Sequence, residues 1–330
     1  MAASGGAVGK GPMQAVVLNT ISVVIASHRP GYIAGCLDGL IGTATTECAA
    51  EIIVVADYPV EHLAKEYPGV QWIYMADTSI SAKRNNGIVR CGGSIVGFTD
   101  DDCIPCAGWI ENADAFLRIH DECAGVAGQT IVQRVETASY PLREFKRLEL
   151  RGWRTNNIFY RKRDLVDVGR FDERFTVQRE DVDLAFSILA KGRNIGYCSD
   201  SKVVHRHRNN EYWDLLKNCR NRRFDPLLYK KHKSAYRKTI GSPLPPGISL
   251  MLTLHLVVAV LWCAENPRIA CAAAVGSVGY GMFLSVRRNG FTLKKFGQIV
   301  RDTVSYFISP YVLVAALLYG NVKFRSFLLF

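Results

Sequence analysis

Ser94-Ile-Val-Gly-Phe-Thr-Asp-Asp-Asp-Cys103 is the stretch on which the fold turns. Its apolar start, Ser94 to Phe98, has the length and composition of a buried parallel strand. Three carboxylates, Asp100, Asp101 and Asp102, close it. Acids at the carboxyl end of such a strand lie in the crevice where open α/β sheets hold ligands. Two carboxylates about 4 Å apart repel by roughly 4 kcal/mol at an effective dielectric near 20. A divalent cation relieves that repulsion, and oxygen ligands suit Mg²⁺ or Mn²⁺. Upstream, Ser81-Ala-Lys-Arg-Asn-Asn-Gly87 sets Lys83 and Arg84 at a helix start, with Ser81 as the expected N-cap. Acids after a strand and bases before it point to a metal–diphosphate site rather than a solvated acidic turn.

Further strands are expected at Ser22–Ala26, Glu51–Val55, Val70–Met75 and Gly125–Val132, with helices at Tyr32–Ile41 and Trp109–Ile119. This alternation implies a mostly parallel sheet with right-handed crossovers. Farther on, Glu180, Asp181 and Asp183 open a helix expected over Val182–Leu189, where acids favour the helix dipole. Asp181 has a second reading, because a further acid beside a metal–diphosphate site can take the proton of a hydroxyl nucleophile. A last strand is expected to begin with Ile195–Cys198. His205 and His207 follow, two residues apart, and one of them could complete the metal shell.

The 330-residue chain carries a formal charge of +11, unevenly spread. Between Arg206 and Lys238 eleven Lys or Arg face three acids, a density that fits nucleic acid or an anionic membrane surface. The apolar runs Ile248–Cys263, Ile269–Val286 and Val304–Tyr319 decide for the membrane and against nucleic acid. Five bases in the Arg287–Arg301 loop, against one between Ala264 and Arg268, put that loop and the catalytic domain on the cytoplasmic side. Tyr212, Trp213, Leu215, Leu216 and Cys219, interleaved with bases, suit a helix lying in the headgroup layer. The ten cysteines read as reduced thiols, since Met1–Met13 is Gly/Ala-rich without the apolar core of a signal peptide. The expected organisation is a flexible tail over 1–18, a catalytic domain over 19–208, a basic amphipathic linker over 209–246, and a membrane region with two or three helices, multi-pass or monotopic, over 247–330.

The ordered motifs Val23-Val-Ile-Ala26, Ile53-Val-Val-Ala-Asp57, Ala82-Lys-Arg-Asn-Asn-Gly87, Phe98-Thr-Asp-Asp-Asp102, Gly169-Arg-Phe-Asp-Glu173 and Glu180-Asp-Val-Asp-Leu184 resemble family 2 glycosyltransferases. The resemblance covers about Ser22 to His207. It implies a GT-A fold, α/β and Rossmann-like, and inverting transfer from a nucleotide-sugar donor. It also implies residue roles. Asp100 and Asp102 match the DxD motif, with Asp102 on the metal and Asp100 shared between ribose and metal. Asp57, Lys83, Arg84 and Asp101 fall at the nucleotide, and Asn156 and Asn157 in the segment lining the sugar pocket. Glu180-Asp181 matches the ED motif, with Asp181 as general base, and His205 matches a further metal ligand, with His207 in reserve. Membrane-attached relatives make a lipid-linked or cell-surface glycan the expected acceptor, with polyprenyl phosphate the alternative. A nucleotidyltransferase is disfavoured because Ser27-His-Arg-Pro-Gly31 is not a glycine-rich phosphate loop, and a non-catalytic nucleotide-binding scaffold would not need Glu180-Asp181. Two positions depart from the family pattern: Ala56 stands where an Asp is usual, and Arg179 where a Gly usually precedes the ED motif.

Overall fold

The computed structural model describes residues 20–43, 50–133, 147–206, 213–291 and 293–328. An eight-stranded sheet makes up the N-terminal half, with strands β1 (Ile21–Ser27), β2 (Ala50–Ala56), β3 (Val70–Tyr74), β4 (Ile95–Asp100), β5 (Cys103–Pro105), β6 (Cys123–Val132), β7 (Asn157–Arg161) and β8 (Asn194–His205). Their spatial order is β3-β2-β1-β4-β7-β6-β8-β5. The expected parallel pairing holds from β3 through β4 and again between β6 and β8. Strand β7 runs antiparallel to both β4 and β6, and β5 antiparallel to β8, so the sheet is mixed. The fold class is nonetheless the expected α/β one, followed by C-terminal helices.

Each face of the sheet has its own core. Val23, Ile25, Leu37, Trp109 and Phe159 meet on one side, and Val24, Phe98, Tyr160, Phe171 and Leu184 on the other. Buried β-branched and aromatic side chains on both faces are what a central parallel strand requires. The chain crosses the sheet with helices α1 (Pro30–Thr43), α2 (Glu61–Glu66), α3 (Ile80–Arg90) and α4 (Trp109–Ile119). Helix α3 starts slightly earlier than expected. Ser79, not Ser81, is extended and caps it, accepting a bond from the Ala82 amide at 3.2 Å. Ser81 instead lies inside the first turn and donates to the Phe175 carbonyl at 2.6 Å. The last strand runs from Asn194 to His205, paired with β6 along most of its length and with β5 at its end.

After short helices α5 (Lys162–Asp167) and α6 (Glu180–Ala190), the basic segment folds as α7 (Asp214–Asn221), α8 (Asp225–Lys231) and α9 (Lys233–Thr239). Cys219, Phe224, Leu227, Leu228 and Tyr236 form a third core with Phe175 and Phe186 of the sheet-bearing half and Leu313 and Leu317 of the last helix, while Trp213 is exposed. Three helices then follow, α10 (Pro246–Cys263), α11 (Pro267–Asn289) and α12 (Phe296–Phe324). All three are long and apolar enough to cross a membrane, with mean hydropathy 1.9, 1.7 and 1.5 in their most apolar windows. Leu256, Val260, Trp262, Val275 and Phe283 are exposed on them, apolar surface of the kind that lipid covers. The nine described cysteines are free thiols.

Gly320 shows how closely α12 docks. A Cβ there would meet the Arg223 carbonyl oxygen at 2.1 Å and Pro226 at 2.9 Å. Gly320→Ala should therefore push α12 away from the basic segment and cost about 1–3 kcal/mol, the usual range for overpacking. A lower melting temperature in detergent is the expected result.

Candidate active site

Strands β1 and β4 end side by side, so Ser27 and the acids from Asp100 onward share one edge of the sheet. Helices α3 and α6 close over that edge. Between them lies a cavity of about 460 Å³ whose lining includes Arg29, Arg84, Asp100, Asn156, Asp181 and His205.

Arg84 is the hinge of this arrangement. It is buried, donates to Glu180 Oε1 at 2.9 Å and to Asp100 Oδ1 at 3.2 Å, and lies over the Phe171 ring. One guanidinium thus joins the end of β4 to the start of α6. Glu180 Oε2 is buried without a hydrogen-bond partner among the described residues, leaving an acceptor at the cavity.

The three consecutive aspartates separate in role. Asp101 is buried, and its Oδ2 accepts from Ser27 Oγ at 3.0 Å and from the His28 and Arg29 amides at 3.1 Å. These bonds shape the loop after β1 and occupy one of its two oxygens. Asp100, partly exposed, points toward Arg84. Asp102 is buried, with Oδ2 on Arg29 at 2.9 Å and Oδ1 facing His205 Nε2 at 3.6 Å.

His205 reaches Asp102 because β8 pairs with β5, setting His205 opposite Cys103. Its Nδ1 lies 3.0 Å from the Arg206 carbonyl, an acceptor, so Nδ1 must donate. With Nδ1 committed to that carbonyl, Nε2 faces a carboxylate oxygen of Asp102. Asp102, Cys103 and His205 hold ligand atoms within 4.8 Å of one another. Burial pushes the Cys103 thiol well up, so it stays protonated and is a poor ligand. The remaining carboxylate and imidazole fit a divalent ion. Asp100 stands outside this group, and His207 lies outside the described residues.

Lys83 spans the ends of β1 and β2, donating to the Ser27 carbonyl at 2.8 Å and to Asp57 at 2.5 Å. Lys83 and Asp57 thus neutralise each other beside the cavity. Asn156 lines the cavity and donates to Thr130 at 3.1 Å. Asn157 turns the other way, accepting from Trp109 Nε1 at 2.8 Å and donating to the Gln129 and Ser201 carbonyls, which makes it a strut of the sheet. Asp183 is likewise structural, held by Lys231 at 2.7 Å and His232 at 2.9 Å.

Asp181 is partly buried at the N-terminus of α6. Burial and the neighbouring Glu180 push its carboxyl up to about 6. The residue before the pair explains a departure seen in the sequence. Arg179 has φ +79°, the left-handed region that glycine enters freely and other residues enter at about 1–2 kcal/mol. Its side chain offsets this by donating to both oxygens of Asp225, at 2.8 and 3.3 Å. Asp225 is fully buried and also takes Tyr236 Oη at 2.8 Å and Arg222 at 2.7 Å. Sequence reasoning missed Arg29 and Arg154 as cavity residues. Arg29 could have been found from its place in the loop leaving β1, whereas Arg154 carries no pattern.

Comparison with known proteins gives one family match and a few relatives. Residues 22–177 match the family described as Glycosyl transferase family 2. Two curated relatives, pre-mycofactocin glycosyltransferases of two strains of Mycobacterium tuberculosis, CDC 1551 / Oshkosh and ATCC 25618 / H37Rv, are each 28% identical over 145 residues. The match covers 39% of this chain and 30% of each relative's length. Among solved structures, GalNAc-T7 with UDP, GalNAc and Mn²⁺ aligns with TM-score 0.49 at 14% identity, over 65% of this chain and 50% of that one. The match to Glycosyl transferase family 2 thus falls on the sheet-bearing N-terminal part of the chain, and the chain spans about a third of the length of the curated relatives it matches.

The raised Asp181 carboxyl has a stability signature. Unfolded, it titrates near 3.9; folded, near 6. Below about pH 4 it is neutral in both states and adds no penalty, while above pH 6 its buried charge costs stability. Asp181→Asn is expected to melt above wild type at pH 8, with the difference vanishing toward pH 4.

Proposed function

We propose that this protein is an inverting glycosyltransferase that moves a sugar from a nucleoside-diphosphate donor to a hydroxyl of a lipid-linked or cell-surface glycan acceptor at the cytoplasmic face of a membrane. The carrying observation is the placement of Asp181, a carboxyl tuned to about 6, across one cavity from Asp100, Arg84 and the Asp102–His205 pair. The family match supports the reaction class, and the three apolar helices support the membrane setting.

In this reading the nucleoside diphosphate lies along the edge formed by β1 and β4. Asp57 and Lys83 stand on the base and ribose side, with Asp100, Arg84 and Asn156 toward the sugar. Asp102 and His205 would hold a divalent ion, Mg²⁺ or Mn²⁺, which as a Lewis acid offsets the charge of the departing diphosphate. Arg29 and Arg84 add fixed positive charge on the same side. Asp181 accepts the proton of the attacking hydroxyl, and Glu180, anchored by Arg84, fixes the start of α6 that carries it. Attack from the face opposite the leaving group inverts the anomeric centre.

Asp181→Asn should retain nucleotide binding and lose transfer by about 10²–10⁴-fold, the worth of a general base. Wild-type transfer should rise with pH through about 6, as Asp181 loses its proton. A radiolabelled-donor assay across pH checks both, and near-normal transfer by the variant would reject the role. Asp102→Asn should weaken nucleotide binding measured with Mn²⁺ and leave binding in EDTA unchanged. Equal Mn²⁺ dependence in the two proteins would remove Asp102 from the metal site.

A further inference from the structure

A second cavity, of about 550 Å³, lies behind Asp181 and is lined by Arg151, Trp153, Arg154, Gln178, Arg179 and Ile240, among others. Asp181 lines both cavities, so its carboxyl stands in the wall between them. Three features of the rear cavity define a ligand. Gln178 Oε1 is buried there without a hydrogen-bond partner among the described residues, an acceptor that a hydroxyl would satisfy. Arg151 and Arg154 meet no carboxylate within ion-pair distance among the described residues. Arg151 is exposed and lies over the Tyr197 ring, and Arg154 donates to the Leu150 and Arg147 carbonyls at 2.7 and 2.8 Å. Arg179, by contrast, is neutralised by Asp225. Finally, Thr239 and Ile240 close the cavity where α9 ends, a few residues before α10 begins its apolar run at Pro246.

We propose that this rear cavity is the acceptor subsite and that it takes a hydroxyl-bearing lipid phosphate or diphosphate, with Gln178 and Asp181 on the hydroxyl and Arg151 and Arg154 on the phosphate. The proposal rests on the transferase reading above. Guanidinium groups pair with phosphate through paired, charge-assisted bonds, and the junction with α10 leads an attached lipid tail toward the membrane. In the transfer step the anomeric carbon's bond to the diphosphate oxygen breaks, and its electron pair leaves on the nucleoside diphosphate. The acceptor oxygen forms the new bond to that carbon, and its proton passes to Asp181.

The test uses the full chain in phosphatidylcholine nanodiscs, with farnesyl diphosphate, farnesol and inorganic pyrophosphate as probes and UDP, GDP, dTDP and CMP measured in parallel. Farnesyl diphosphate is expected to bind more tightly than either other probe. Arg151→Gln should weaken it by about tenfold or more, the worth of a charged hydrogen bond, and Arg151→Lys should restore part of the loss. Arg151 lines the rear cavity and is exposed, so the variant should fold and keep its nucleotide affinity. Equal farnesyl diphosphate affinity in wild type and Arg151→Gln would overturn the proposal, as would farnesol binding as tightly as the diphosphate. Pyrophosphate binding as tightly as farnesyl diphosphate would assign the site to free phosphate and overturn the lipid. Loss of all nucleotide binding by wild type would instead sink the reading of the front cavity, a separate failure.

Discussion

The buried Arg84 guanidinium, held between Asp100 and Glu180, is the contact on which the rest of the site depends. Asp100 ends a central strand, and Glu180 begins a helix much later in the chain. Without a shared cation the two acids would face each other across a desolvated edge. Removing one member of a buried ion pair typically costs about 3–5 kcal/mol, because the other charge stays buried and unpaired. Arg84 therefore both neutralises the cavity and sets the distance between its walls. The other polar side chains of α3 serve the same closure: Ser81 binds the Phe175 carbonyl, and Asn85 binds Phe171 and Glu173.

A second buried charge centre, at Asp225, ties the catalytic half to the helical C-terminal half. Arg179, Arg222 and Tyr236 converge on one carboxylate from three parts of the chain. The backbone before Asp181 is held in its left-handed turn from the segment that leads to the apolar helices. Leu313 and Leu317 of α12 pack into the same third core. The position of Asp181 and the docking of the last helix are thus mechanically linked.

Much of this was legible in the residues. Short β-branched runs broken by helical periodicity predict an α/β sheet, since each pattern matches one way of burying apolar surface. The order of the acidic and basic motifs pointed to the site, because carboxylates at strand ends and helix starts collect at one edge of such a sheet. Strands β5 and β7 were not legible. Cys103–Pro105 is too short to show periodicity, and Asn157–Arg161 reads as well as a loop until it is paired with β4 and β6. In the basic stretch Cys219, Phe224, Leu227, Leu228 and Tyr236 are buried in protein while Trp213 stays exposed, a division that composition does not express.

The three aspartates show where the boundary falls. Their types and spacing established that an acidic edge exists, because charge and strand length are properties of the linear chain. Which acid does what depended on side-chain direction and on neighbours far away in sequence. Asp101 went to the backbone amides of the β1 loop, Asp100 to Arg84, and Asp102 to Arg29 and His205. The same holds for the tuning of Asp181, which comes from burial and Glu180 and not from its motif alone. Chemistry of this kind is set by desolvation and by distances of a few ångströms, and only the packed chain has either.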